Sequence, residues 1–375
     1  MASLDQGTAE RNASSRLLHV GVAILAGIAL FVAIDRAVFS SGLYFRWVAP
    51  TSGLGTMAQA LQRIALSPQD GSTLLVMGDS RIGEGFSAEL ATREARRLGS
   101  ATSFSNGAVA GSMPRVWYYM LRRVFADGRR LGGVAIMLSS YHDNDPEPAA
   151  DRLGDIVFVH PLLRPRDIVA FPDSFISGPA RTRAVEAVAF RGLFYKNDVL
   201  DFLRAPRQRI QEVLAWRAHG PEWVAAYPGR DTSLAGLTLD PATGQLSGRP
   251  VPADASFAPY VQSLRQFGGR PPDDRLSAAY RREWLEGIAD MCRQAGVKLY
   301  VFRIPRGPLH AMADADEQPT GVVAELAQQG RIVLLPAATF DDLERPEFFF
   351  DALHMNRAGR ELFSAGMAKA IQQAG

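Results

Sequence analysis

Two hydrophobic patterns divide the chain. Residues 17–34, LLHVGVAILAGIALFVAI, are apolar on every side except at His19. Eighteen residues at helical rise span about 27 Å, close to the hydrocarbon thickness of a bilayer. A helix packed on a soluble core would instead alternate polar and apolar faces. The run predicts a membrane anchor over residues 17–36, after a tail over 1–16 and before a linker and helix over 37–72. A cleaved signal peptide is the rival reading. Its apolar region is usually about 7–15 residues, and Ile34-Asp35-Arg36 lacks the small residues of a cleavage site. Arg11 and Arg16 precede the span and Arg36 and Arg46 follow it, so the positive-inside rule barely discriminates orientation.

The second pattern is an alternation of short apolar runs and amphipathic stretches. Strands are predicted over 74–77, 102–105 and 134–138, with helices over 57–66, 88–98 and 114–125. The alternation breaks, then resumes with a helix over 276–295, a strand over 298–304, a helix over 322–329, a strand over 331–335 and a helix over 357–371. Strands near five residues alternating with helices predict an α/β fold, a parallel sheet covered on both faces, with its site at the carboxyl ends of the strands. The core thus occupies 73–145 and 273–375. Residues 146–272, bounded by PEPAA and GGRPPDD, read as an insertion rich in Pro, Arg and aromatics, helical over 181–190 and 207–217, with a loop or hairpin over 229–248.

Composition narrows the function classes. Of 375 residues, 47% are hydrophobic and 21% charged, ordinary globular usage that excludes a disordered chain, a coiled coil or a multi-spanning protein. A net charge of +2 provides no blanket positive field, so no nucleic-acid partner is expected. The single cysteine, Cys292, allows neither an intramolecular disulfide nor a thiolate metal cluster. It falls on a predicted helix among apolar residues and reads as a buried core thiol.

Gly78-Asp79-Ser80-Arg81 directly follows the first strand. A serine at such a turn is exposed at the sheet's carboxyl edge, where a nucleophile must stand, although Gly, Asp and Ser are also ordinary turn formers. Near the C-terminus, Asp351 and His354 are three residues apart, so the carboxylate can hold one imidazole nitrogen and leave the other as a base. Arg81 is read equally as a salt-bridged arginine or as a grip on an anionic substrate. His142-Asp143-Asn144-Asp145 are adjacent in one loop and seldom could converge on one ion, so no metal and no cofactor is expected. His160, His219 and His310 are isolated and read as structural.

The order GDS early and DxxH late resembles the SGNH, or GDSL-type, family of serine esterases and acyltransferases, over residues 74–143 and 297–371. The resemblance implies Ser80 as nucleophile, His354 as base and Asp351 as its orienting acid. It implies an oxyanion hole from the Ser80 and Gly111 N–H groups, with Asn106 five residues before Gly111 at the substrate side. The family's third block, usually Gly-x-Asn-Asp, here reads Ser139-Ser140-Tyr141-His142, and Tyr141 stands where the asparagine donor is expected. Asn144 or His142 are the other local donors. The anchor, the divergent third block and the insertion also resemble anchored SGNH-like proteins of bacterial envelope acylation, of the alginate-acetylation and teichoic-acid D-alanylation type. That implies a single-pass protein of the inner membrane with a periplasmic domain. Its partners would be a membrane-bound O-acyltransferase and a polysaccharide or glycan acceptor. An anchored esterase using water, and a non-catalytic assembly subunit keeping the fold, are the alternatives.

Overall fold

The structure, a computed structural model, describes residues 3–142, 150–240, 245–249, 274–308 and 318–375. Its strands, in chain order, are Thr73–Met77 (β1), Ser103–Asn106 (β2), Gly133–Leu138 (β3), Leu237–Asp240 (β4), Gln245–Gly248 (β5), Lys298–Arg303 (β6) and Val333–Leu334 (β7). Five of them form a parallel sheet in the order β2-β1-β3-β6-β7. β1 and β3 are buried along their whole length, which explains why both read as unbroken apolar runs rather than alternating ones. Omitting the separate β4–β5 hairpin, this is the doubly wound order 2-1-3-4-5, whose switch point lies between β1 and β3.

Helices cover the sheet. Ala88–Arg97 packs with Arg357–Ala374, and Pro114–Ala126 packs with Asp274–Gln294. Right-handed crossovers from β1 to β2, and then from β2 past β1 to β3, run in opposite directions across the sheet and put these pairs on opposite faces. The edge strand β7 is shorter than the 331–335 predicted. It pairs with β6 only at Val333 and Leu334, and Pro336, which lacks an N–H, follows closely.

The inserted segment is more helical than its composition suggested. Leu153–Val159, Gly178–Ala189, Gly192–Arg204 and Pro206–Ala226 are all helices, and β4–β5 forms the hairpin foreseen within 229–248. Arg115 ties the segment to the core. Its wholly buried side chain donates to the Asp155 carboxylate at 3.2 Å and to the carbonyls of Ala150 and Ser174 at 2.6 and 2.8 Å. Arg115→Met would leave the buried Asp155 charge without its partner, a loss of about 3–5 kcal/mol. The urea midpoint should fall with the slope unchanged; an unaltered midpoint would refute this role.

The N-terminal helix runs from Ser3 to Ile34 and continues as a π-helical turn, Asp35–Ser40. The stretch His19–Ser40 is long and apolar enough to cross a membrane, and it is almost entirely unburied. Asp35 lies near the end of the predicted anchor, 17–36, and a carboxylate there would ordinarily meet water. The carboxylate is instead buried, accepting from Gly192 N–H at 2.6 Å and from the Ser40 hydroxyl at 3.0 Å.

Candidate active site

β1 ends at Met77, and Gly78 turns the chain. A Cβ at Gly78 would lie 2.5 Å from Ile82 and 2.7 Å from the Met137 sulfur, so only glycine fits. Asp79 then caps a short helix, Ser80–Gly85, its carboxylate accepting from Arg81 N–H at 2.8 Å. Ser80 is the first helical residue, so its own N–H has no intrahelical acceptor.

The second half of the site comes from the segment before the last helix. There Asp351 folds back on the chain, accepting from the N–H groups of Leu353 and His354 at 2.9 and 2.7 Å. The same carboxylate lies 2.8 and 3.0 Å from His354 Nδ1. An ionised carboxylate only accepts, so Nδ1 carries the proton and Nε2 of the neutral ring is the acceptor. That nitrogen is 2.7 Å from Ser80 Oγ, across 274 positions of sequence. The serine hydroxyl therefore donates to the histidine. Burial works to raise the Asp351 carboxyl pKa, but the hydrogen bond and charge of His354 and the two backbone donors hold it below the usual carboxylate range.

Neither family models nor curated proteins match this chain. What the site can do rests on its geometry. A hydroxyl aimed at an imidazole that a carboxylate orients is an arrangement for proton removal from a nucleophile.

Gly111 adopts φ +72°, a conformation glycine favours, in a loop stitched to the nucleophile turn. Val109 N–H and the Ser112 hydroxyl both donate to the Gly78 carbonyl, at 3.0 and 3.2 Å. The loop carrying Gly111 is thus fixed beside the carboxyl end of β1.

Two expected roles are corrected, and Arg81 takes the ion-paired one of its two readings. Arg81 is buried and does not reach out to a substrate. It forms a fork on Asp79, with Nη2 at 2.9 Å, and donates to Ser139 Oγ at 2.8 Å. Asn106 is likewise a brace rather than a substrate contact. Its amide donates to the carbonyls of Ile82 and Phe86 at 3.3 and 2.9 Å and accepts from Ala108 N–H at 2.9 Å, pinning the nucleophile helix to β2. Tyr141 does not supply an oxyanion donor. Its hydroxyl is buried and donates to the Leu335 carbonyl at 2.8 Å, beside β7. His142 sits next to Thr320, with its carbonyl held by Arg281 at 2.5 Å. Residues 143–145, including Asn144, lie outside the described residues, as does His310.

Sequence reasoning missed two neighbours of the triad. Phe350 stacks on the His354 ring at 5.6 Å and 12°, and Arg230 lies 4.6 Å over Phe350 in turn. Arg152 stands at Gly111, its Nη2 3.6 Å from where a Gly111 Cβ would be. The run FFFD reads as plain core, and Arg152 opens a segment with no periodic signal, so neither was marked. Among the described residues no group of His, Cys, Asp and Glu could hold a metal ion. Cys292 is buried, and burial pushes its thiol up to about 12. Burial pushes His160 down to about 3, which keeps it neutral.

Proposed function

We propose that the chain is a membrane-anchored serine acyltransferase of the SGNH type. The observation that carries this reading is the 2.7 Å contact between Ser80 Oγ and His354 Nε2, with Asp351 on the other nitrogen. Ser80 Oγ attacks the acyl carbonyl carbon as His354 takes the hydroxyl proton. The bond to the leaving oxygen then breaks, and His354 returns the proton to that oxygen. In the second half an acceptor hydroxyl attacks the acyl-serine, gives its proton to His354, and Ser80 recovers a proton from His354 as it leaves. The Ser80 and Gly111 N–H groups steady the tetrahedral oxyanion.

The resemblance on which the family rests also supplies the setting. The acceptor is an envelope polysaccharide or glycan, the donor partner a membrane-bound O-acyltransferase, and the domain faces the periplasm of a bacterium. The incomplete burial of His354 and Asp351, with side chains 21% and 26% exposed, favours a second reading in which water is the acceptor and the chain is an esterase. The test common to both is a fluorophosphonate probe with peptide mapping. A covalent adduct on Ser80 is the expected result, and an unlabelled Ser80 in folded protein would overturn both.

On this reading Arg152, whose guanidinium lies beside the Gly111 donor, serves as the third donor to the oxyanion. The same guanidinium also acts on the buried Asp155 carboxyl. Arg152→Ala should lower kcat by roughly a hundredfold with KM little changed, and Arg152→Lys should recover part of it. An unchanged kcat in the alanine variant would remove Arg152 from the site.

A further inference from the structure

We propose that the helix Gly192–Arg204 lies in the headgroup layer of the bilayer that the N-terminal helix enters; this rests on the anchor reading of that helix. The first observation is the joint between the two. Asp35, 1% exposed, accepts from the N–H of Gly192 at the start of the helix, and Arg191 donates to the Ser40 carbonyl at 3.2 Å. The buried carboxylate is a cap supplied from the anchor, at the end of the helix where negative charge is favoured. Phe31, inside the apolar stretch, touches Phe190 with ring centroids 5.8 Å apart. Phe190 therefore sits at the level of the last apolar turn of the anchor, not beyond it.

The second observation is the face this helix presents. Leu193, Leu200 and Leu203 are seven and ten residues apart, on one side of the helix, and are 46%, 42% and 66% exposed. Lys196 is exposed on the same side, and Arg204 follows at its end, ion-paired with Asp201 at 3.0 Å. The opposite side carries Tyr195 and Val199, packed with Tyr44, Val48 and Leu54 after the anchor. A helix whose inner face packs on the segment after the anchor and whose outer face is leucine flanked by Lys196 has the character of an interfacial helix. Its apolar face meets acyl chains while Lys196 reaches anionic headgroups. The face is continuous with the anchor through Phe190, which is what selects a bilayer over a second protein as its occupant.

The experiment uses the full chain reconstituted in vesicles of phosphatidylcholine and phosphatidylglycerol. Leu193→Cys and Leu203→Cys are spin-labelled one at a time, with Leu25→Cys as a probe of the anchor and Arg93→Cys as a solvent reference. Cys292 is buried and does not compete for label. Circular dichroism equal to wild type checks that each variant is folded. The expected result is an oxygen-to-nickel collision ratio at positions 193 and 203 several-fold above that at 93. If position 25 reads as lipid while 193 and 203 read as water, or as shielded from both probes, this proposal is overturned and the anchor stands. If position 25 itself reads as water, the anchor reading fails and the proposal with it.

Discussion

Ser80→Ala is expected to abolish acyl transfer and ester cleavage, by about four to six orders of magnitude. On the proposed mechanism the hydroxyl is the group acylated, and it is the group His354 Nε2 faces at 2.7 Å. Without it, only ground-state binding and the oxyanion donors remain. The fold should survive. The turn is held by Gly78, by the Asp79–Arg81 fork and by the Asn106 amide, none of which uses the serine hydroxyl. Turnover of a p-nitrophenyl ester alongside a thermal melt reads both halves. A variant with a wild-type melt that keeps most of its turnover would take the nucleophile role from Ser80.

The second large effect is at Asp351. An amide there would offer an N–H toward His354 Nδ1 and favour the ring form with its proton on Nε2, which cannot accept from Ser80. Asp351→Asn should therefore lower kcat by about 10⁴-fold. The pH dependence that Asp351 brings is one of stability. The folded Asp351 carboxyl titrates below its unfolded value. Its contribution to stability is thus full above the ordinary carboxylate range, near about pH 4, and is lost as pH falls through the lower folded value. Acid unfolding of Asp351→Asn should lack that component. A kcat within tenfold of wild type would show that the carboxylate is not what orients His354.

The alternation of buried runs was enough to foresee the parallel sheet, because strands covered on both faces leave no polar alternation to obscure them. Ser80, Asp351 and His354 were legible for a related reason: each belongs to a short local motif at a strand end or before a helix. The supporting residues were not. Arg81 and Asn106 look like substrate contacts in the sequence, since a charged or amide side chain next to a nucleophile turn is chemically suited to either task. Only the positions of Asp79, Ser139, Ile82 and Phe86 in space show that their donors are already used. Tyr141 was misread because spacing fixes a position along the chain and not the direction of a ring. The fate of Asp35 was hidden for the same reason, as its partner Gly192 lies in an insertion whose helices had weak periodic signals.

The distance in sequence between Ser80 and His354 has a consequence for the newborn chain. At about 5–20 residues per second, the segment carrying the base leaves the ribosome roughly 14–55 s after the serine. Throughout that interval the polypeptide holds a plain, unactivated alcohol. On the proposed mechanism competence arrives only with His354 and the helix after it, which Asn356 caps and Arg360 fastens to the carbonyls of Gly83 and Glu84 behind the serine. On that mechanism a chain released before His354 would be chemically silent.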